Sequence, residues 1–464
     1  MLSDKGSKMT QTVKEKQNRG NFGEGSVGRL IMAQAIPLTL AQLVQVLYNV
    51  VDRIYLGHMP ETEEGVALTG VGLTFPVVAL ISAFVNLFAT GGTPLCSMAR
   101  GKGDEERARE VEGTVIHMQV VTGILLTVLI LALERPVLYL LGASDVTYPY
   151  ASGYLSVYVL GTVFVCIGTG LSGFINLQGY ARRSMAYVMT GAGVNMVLDP
   201  IFIYLLKMGT AGAAWASVIS QCVSCVLVLH FLFGPLAVLK ISMRDVLHAN
   251  WKLLPEIVTL GLAGFIMSAT NCAVQAVCNA TLSIHGGDLY VGIMTIINSV
   301  REMIGLPIGG ITAGSQPVIS YNYGARLTER VKKGIRFMAA AGIGYTAFAW
   351  IMILAFPGFF LRMFSSDATM VETGRMPMII YFGGFIFMAL QYVGQSSFVA
   401  LGKAKQSIFF SLFRKVIIVV PLTLLLPHVA GLGTYGVFLA EPISNLIGGC
   451  ASFFTMYLFM YRKL

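Results

Sequence analysis

Three polar residues in apolar surroundings are the first candidates for chemistry. Asp52 lies in a hydrophobic stretch near the amino terminus, while Asn195 and Asp199 lie in the segment NMVLDP. Residues four apart on a helix project from one face, so Asn195 and Asp199 should stack one above the other. Pro200 follows directly. Because proline removes a backbone donor, it leaves carbonyl oxygens free to act as further ligands.

Oxygen-rich groups of this kind suit a hard cation. An ionisable side chain inside a bilayer is costly, which makes Asp52 and Asp199 functional candidates by default. The two carboxylates and the Asn195 amide predict a Na⁺ site, and the same carboxylates could carry a proton instead. The competing interpretation is a structural ion pair, for which Arg53 beside Asp52 is the obvious partner.

Composition places these residues in a membrane. Hydrophobic residues make up 55% of the 464 positions and charged residues only 12%, with a mean hydropathy of +0.72. Soluble domains have about a quarter of their residues charged. We therefore predict an all-α integral membrane protein with spans of about 20 residues each.

Hydropathy predicts twelve transmembrane helices. The first six cover residues 31–57, 66–98, 113–133, 146–178, 186–206 and 213–233, and the other six cover 254–283, 290–320, 335–356, 373–400, 407–426 and 434–460. The predicted domains are a cytoplasmic N-terminal tail at 1–29, an N-lobe at 30–233, a cytoplasmic linker at 234–252 and a C-lobe at 253–464.

The loops between the spans alternate in charge. ARGKGDEERARE and YNYGARLTERVKKGIR are rich in Lys and Arg, whereas LGASD and HGGD are not. Positive charge stays on the cytoplasmic side during insertion, so we expect a multi-pass protein of the cell membrane with both termini cytoplasmic. The net charge of +9 is then mainly a topology signal. Nucleic acid is not an expected partner, because no basic residues gather on a soluble face.

The two halves are related in sequence. GTAGAAWASVIS at 209–220 matches GTYGVFLAEPIS at 433–444, and GYARRS at 179–184 matches GKAKQS at 402–407, both with a shift of 223 or 224 residues. A shift that spans six helices keeps both copies in the same orientation. The chain is therefore predicted to form two parallel-repeat six-helix bundles, which could rock against each other to give alternating access.

Further polar residues within the spans are weaker candidates. Arg301 and Glu302 are adjacent and should point about 100° apart on a helix, so each needs its own partner. Arg414 and Glu441 could supply two of those partners. The candidates for substrate binding are Gln42, Gln45, Asn49, Asn271, Gln275, Gln391, Gln395 and Glu302.

Three longer motifs resemble the multidrug and toxic compound extrusion (MATE) transporters. They are QPVISYNYGAR at 316–326, NMVLDPIFI at 195–203 and the GKAKQS loop. The resemblance extends from about residue 30 to 460 and is closer to the DinF/MepA-like branch than to the NorM branch. It implies twelve spans in two bundles that export compounds in exchange for inward Na⁺ or H⁺.

The resemblance also implies roles for individual residues. In the family the first-half cation site takes an acid from the first helix, matched here by Asp52, and an Asn and Asp from the fifth, matched by Asn195 and Asp199. A hydroxyl from the sixth helix completes it, and by spacing Ser217 takes that place. NorM-like members have further acids in the seventh and tenth helices. This chain has amides there instead, so we expect the coupling groups in the first half.

The sequence favours a secondary antiporter that exports amphipathic, often cationic, small molecules. No cofactor is expected beyond the coupling ion, and the expected partners are the substrate and the lipid bilayer, with the chain a monomer. A flippase or exporter for a lipid-linked or anionic substrate is the alternative, which Arg301 and Arg414 keep open. An enzyme is not expected, since the six histidines form no HExxH and no nucleophile–base spacing is recognisable.

Overall fold

The computed structural model describes residues 20–57, 66–365, 367–429 and 431–464, and every regular element in these ranges is a helix. Most of the predicted N-terminal tail, and the side chains of Asn49 and Arg53, lie outside this description. The all-α prediction is confirmed.

The first half is a succession of helices joined by short turns. These are α1 (Val27–Gly57), α2 (Val66–Gly72), α3 (Phe75–Gly101), α4 (Glu105–Leu140), α5 (Tyr148–Leu160), α6 (Thr162–Gly170), α7 (Ser172–Leu177), α8 (Ala181–Pro200), α9 (Gly209–Leu232) and the short α10 (Met243–Leu247) of the linker. A π-helical turn at Ile201–Leu205 continues α8.

The second half is also a succession of helices. Its helices are α11 (Leu254–Gly324), α12 (Thr328–Ala355), α13 (Pro357–Arg362), α14 (Ala368–Phe382), α15 (Phe385–Ala400), α16 (Ala404–Leu412), α17 (Val420–Leu425) and α18 (Thr434–Phe459). A longer π-helical turn at Phe413–Val419 joins α16 to α17.

The described helices are compatible with twelve spans. Nine are long and apolar enough to cross a membrane, and two bent pairs raise that number to eleven. The pairs bend by 56° after Leu160 and by 43° after Phe382. The 71-residue α11 is interrupted at Gly287, where φ is +67°, and glycine adopts that conformation without strain. Its two arms correspond to the predicted spans 254–283 and 290–320.

Contacts along the chain define two compact units, each with its own apolar core. One is formed mainly by Leu40–Gly261, and the other combines Phe22–Thr39 with Leu262–Leu464. The core of the first includes Ile81 and Leu155, and that of the second includes Ile297 and Phe438. The lobe boundaries inferred from the repeat stay a prediction, because these units are defined by contacts and not by the repeat.

Reciprocal glycine contacts bring α3 and the start of α11 together inside the first unit. A Cβ atom on Gly261 would lie 1.6 Å from the carbonyl oxygen of Leu87, and one on Gly91 would lie 2.0 Å from that of Ile257. Small residues of this kind let helix backbones approach closely inside a membrane.

Arg330 fixes the segment that precedes α1 inside the second unit. Its guanidinium donates to the carbonyl oxygens of Phe22, Glu24 and Gly25 at 2.8 to 3.0 Å, and its Nε donates to Asn322 at 2.9 Å. The Asn322 amide in turn donates to the Phe22 carbonyl. Asn322 belongs to the QPVISYNYGAR motif, so part of that motif anchors the entry to the first helix.

Candidate functional site

Asn195 and Asp199 lie at the end of α8, where the backbone changes its winding. Both are buried, with 1% and 0% of their surface exposed. Pro200 ends the α-helical part and a π-helical turn follows, in which the amide of Leu206 bonds to the carbonyl of Ile201 at 2.8 Å. Such π turns are rare and are frequent at functional sites. The sequence pattern therefore placed both polar residues on one face beside an irregular backbone.

The Asn195 amide joins the groups of this site. Its Nδ2 atom donates to Oδ1 of Asp199 at 3.3 Å and to Oγ of Ser217 at 3.5 Å. Ser217 lies on α9 and is also buried. The Oδ1 atom of Asn195 and the Oδ2 atom of Asp199 are buried and have no hydrogen-bond partner among the described residues. Two acceptor oxygens are thus available for a ligand that carries positive charge.

Asp52 approaches the same site from α1. It is half-buried, and its carboxylate lies within electrostatic range of Asp199. The structure therefore brings together the four residues predicted for cation coupling, Asp52, Asn195, Asp199 and Ser217. The competing ion pair of Asp52 with Arg53 lies outside the described residues, because the Arg53 side chain is not described.

Two tyrosines on α5 extend the site and were missed by the sequence reasoning. Tyr154 and Tyr158 are buried and stack with ring centroids 5.5 Å apart. Tyr154 lies beside Ser217, Tyr158 lies beside Gln221, and both lie within electrostatic range of Asp52. Their four-residue spacing in the fourth predicted span is the signal that could have found them.

The donor set fits a hard monovalent cation or a proton. Carboxylate, amide and hydroxyl oxygens are the ligands that such cations take in proteins. Among the described residues no group of three or more His, Cys, Asp and Glu side chains could hold a metal ion.

A second buried ionic cluster lies in the other half of the chain. Glu441 on α18 accepts from Arg414 at 3.2 Å and from Lys415 at 3.3 and 3.4 Å. All three side chains are buried, and Arg414 also bonds to Asn445. The sequence offered Arg414 and Glu441 as partners for Arg301 and Glu302, whereas in the structure Arg414 and Glu441 bond to each other. This cluster does not test the expectation that the coupling groups lie in the first half, which stays a prediction.

Lys415 was not identified from the sequence because it follows Arg414 directly. Adjacent residues on an α-helix point about 100° apart, so period counting places them on different faces. Both lie in the π-helical turn Phe413–Val419, which changes that spacing. Both long side chains therefore reach the Glu441 carboxylate.

The residues predicted to bind substrate occupy different environments. Asn271 and Gln275 line a small cavity together with Arg301, Lys415 and Glu441. Gln395 instead donates to the Ser411 hydroxyl at 2.6 Å and so ties α15 to α16. Gln391 is buried, whereas Glu302 and Gln45 are exposed and Gln42 is half-buried. The side chain of Asn49 lies outside the described residues.

Comparison with known proteins gives one consistent result. The family model MatE matches residues 37–201 and 264–425. The multidrug export protein MepA of Staphylococcus haemolyticus (strain JCSC1435) is 26% identical over 81% of this chain and 83% of its own. MepA of Staphylococcus aureus (strain N315) is 23% identical over 95% of this chain and 96% of its own.

Solved structures show the same fold. A multidrug resistance MATE family transporter of the MOP superfamily, in an outward-facing conformation, superimposes with a TM-score of 0.89. The two chains are 22% identical, and the match covers 96% of this chain and 99% of the other.

Proposed function

Because the chain belongs to the MATE family of membrane transporters, we propose that it is a secondary antiporter that exports amphipathic, often cationic, small molecules. Inward movement of Na⁺ or H⁺ across the cell membrane drives the export. Relatives that match nearly the whole chain are multidrug export proteins, which supports this substrate class. The basic loops support an orientation with both termini cytoplasmic.

The observation that carries the proposal is the buried carboxylate site of the first half. Asp199 presents an acceptor oxygen that no described donor satisfies, and Asn195 presents a second beside it. A buried negative group without a partner is costly, so it favours binding of a cation or proton. Asp52 and Ser217 complete the coupling site.

Coupling follows if cation and substrate favour different states of the transporter. A ligand that binds both states equally shifts neither, so the incoming cation and the outgoing substrate must each prefer one. We propose that the N-lobe at 30–233 and the C-lobe at 253–464, joined by the linker at 234–252, rock to give alternating access. The chain acts as a monomer, with no cofactor beyond the coupling ion.

Substrate contacts are proposed for the polar residues that the spans present. Asn271 and Gln275 are the best supported, since both line a cavity that also contains charged groups. The other proposed contacts are Gln42, Gln45, Asn49, Gln391, Gln395 and Glu302. Gln395 is the weakest of these, because its amide already bonds to Ser411.

Transport by purified protein in liposomes tests the proposal. Vesicles loaded with a cationic dye are given an imposed Na⁺ gradient or an imposed pH gradient, and dye movement is followed. We expect one gradient to drive dye movement, and we expect Asp199→Asn and Asp52→Asn each to abolish it while the protein stays folded. Asp145→Asn, at an exposed turn, is the matched control and should transport normally. Undiminished gradient-driven transport by either site variant would refute the coupling role.

A flippase or exporter for an anionic or lipid-linked substrate is the second candidate. The basic groups Arg301, Arg414 and Lys415 in the second half favour it, since anionic headgroups bind to clustered cations. The same liposome experiment distinguishes the two candidate functions. An anionic substrate would move when a cationic dye does not, and its transport would survive Asp199→Asn.

A further inference from the structure

We propose that the second half contains a binding site for a small monovalent anion of chloride's size, bounded by Arg301, Lys415 and Tyr381. The site is separate from the cation site of the first half. The proposal rests on the proposed transport function only for its physiological role, since anion binding itself can be measured without transport.

Charge balance is the first reason. Arg301, Arg414 and Lys415 have two carboxylates near them, that of Glu441 among them and that of Glu302 beside Arg301. Glu302 is adjacent to Arg301 but is exposed and does not line the cavity. Glu441 already accepts from Arg414 and Lys415, so the cluster has an excess of positive charge. A buried charge without a counter-charge is strongly unfavourable, and a bound anion would remove that cost.

An unused hydrogen-bond donor is the second reason. The Nε atom of Arg301, which lines the cavity, is buried and has no hydrogen-bond partner among the described residues. Buried polar atoms are normally paired, and those left unpaired in a native structure commonly mark a missing ion or water. Guanidinium groups are acceptor-free, so the missing partner must be an acceptor such as an anion.

A cavity of suitable size is the third reason. It measures about 20 Å³ and is lined by Arg301, Lys415, Glu441, Tyr381 and the amides of Asn271, Gln275 and Asn298. A cavity of roughly 10–15 Å³ on this measure already admits a water molecule. A space of this size suits a single small ion such as a halide.

The sequence repeat relates this cluster to the cation site of the first half. Shifting the first half by 223 or 224 residues places Tyr158 on Tyr381, Ser217 on Glu441 and Gln221 on Asn445. The same shift places Asp52 on Gln275. It also places Asn195 on Ile418 and Asp199 on Leu422, so the two polar sites coincide in only part of the repeat. Two acids dominate the first site and three bases dominate the second, so the two sites should take ions of opposite sign.

Halide binding to the purified full-length protein tests the proposal. Thermal melting in detergent is compared in sodium chloride, bromide and gluconate at equal ionic strength and pH. We expect chloride and bromide to raise the melting temperature in a saturable way and gluconate, which is too large, to have no effect. Crystals grown in bromide should show an anomalous peak between Arg301 and Lys415.

Substitutions of the charged residues test how each charge affects halide binding. Arg301→Met and Lys415→Met should each weaken halide binding by about tenfold or more, because each removes a buried positive charge. Arg375→Met removes a positive charge from an exposed ion pair with Glu372 in the same half and should not change it. Glu441→Gln should strengthen halide binding.

Three results would overturn the proposal. One is equal melting in chloride and gluconate, and another is halide stabilisation that Arg301→Met and Lys415→Met leave intact. The third is a bromide peak at a different place. If the unmodified protein binds halide but does not export the dye, that result contradicts the proposed transport function and leaves the anion site standing.

Discussion

The amide nitrogen of Asn195 lies 3.3 Å from a carboxylate oxygen of Asp199, one helical turn further along α8. The same nitrogen reaches Ser217 on the neighbouring helix α9 at 3.5 Å. Asn195 therefore orients the carboxylate and joins the two helices, while its own carbonyl oxygen is left as an acceptor.

Replacing Asn195 should weaken cation binding without unfolding the protein. Hydrogen bonds to charged groups contribute roughly 1.5–3 kcal/mol, so Asn195→Ala should raise the half-saturating cation concentration for dye export by about ten- to a hundredfold. Dye export is measured against Na⁺ concentration and against pH. Asn86→Ala, at an exposed position of α3, is the control. A half-saturating concentration equal to that of the unmodified protein would contradict a role of Asn195 in the cation site.

The hydroxyl of Tyr154 should support the same site more weakly. It lies beside Ser217, and a polar interaction between neutral groups contributes about 0.5–1.5 kcal/mol. Tyr154→Phe should therefore weaken cation-dependent export by roughly two- to tenfold and keep the ring stacking on Tyr158. Export is compared with that of Tyr139→Phe, whose hydroxyl bonds to Asp145 at the surface. Equal behaviour of the two variants would place Tyr154 outside the site.

Much of the fold could be predicted because membrane-spanning helices are long apolar stretches, which hydropathy detects. The helix ends were less predictable. The predicted span 113–133 is contained in α4, which runs from Glu105 to Leu140, because hydropathy reports the apolar middle and not the polar ends. The helix actually begins beside Asp104, whose side chain accepts from the amide of Arg107.

Part of the candidate site could likewise be predicted from the sequence, and part could not. Asn195 and Asp199 could be paired from their spacing alone, since four residues return a helix to the same face. The four-residue spacing of Tyr154 and Tyr158 places them on one face as well, but spacing alone does not separate a site residue from a core residue. The contact of both Arg414 and Lys415 with Glu441 could not be predicted, because it depends on a π-helical turn that the sequence does not indicate.

The glycine contact between α3 and α11 should be intolerant of a methyl group. Gly261→Ala places Cβ against the Leu87 carbonyl, so the helices must separate and the melting temperature should fall by several degrees. Gly193→Ala is the matched control, because Gly193 is helical and has no atom within 4 Å of the added Cβ. Alanine is favoured over glycine in helices by about 1 kcal/mol, so the control should be neutral or more stable. Equal melting of Gly261→Ala and the unmodified protein would refute the close contact.

Arg330 should control the protection of the segment it binds. Lysine keeps the charge but lacks the planar fork, so Arg330→Lys should lose most of the bonds to Phe22, Glu24 and Gly25. We expect hydrogen exchange at residues 22–31 to become about tenfold faster or more. Arg375→Lys, in an exposed ion pair, should leave that exchange unchanged. Exchange that Arg330→Lys does not alter would show that the segment is held by its apolar contacts alone.

The bonds of Arg330 also set an order of events during synthesis. Residues 22–25 emerge from the ribosome first, yet the side chain that binds them comes about 300 residues later. The segment before the first helix therefore cannot form its bonds to Arg330 until the second half has been synthesised. A chain that stops before Arg330 cannot make any of these bonds, so the segment before α1 is completed only by the second half of the protein.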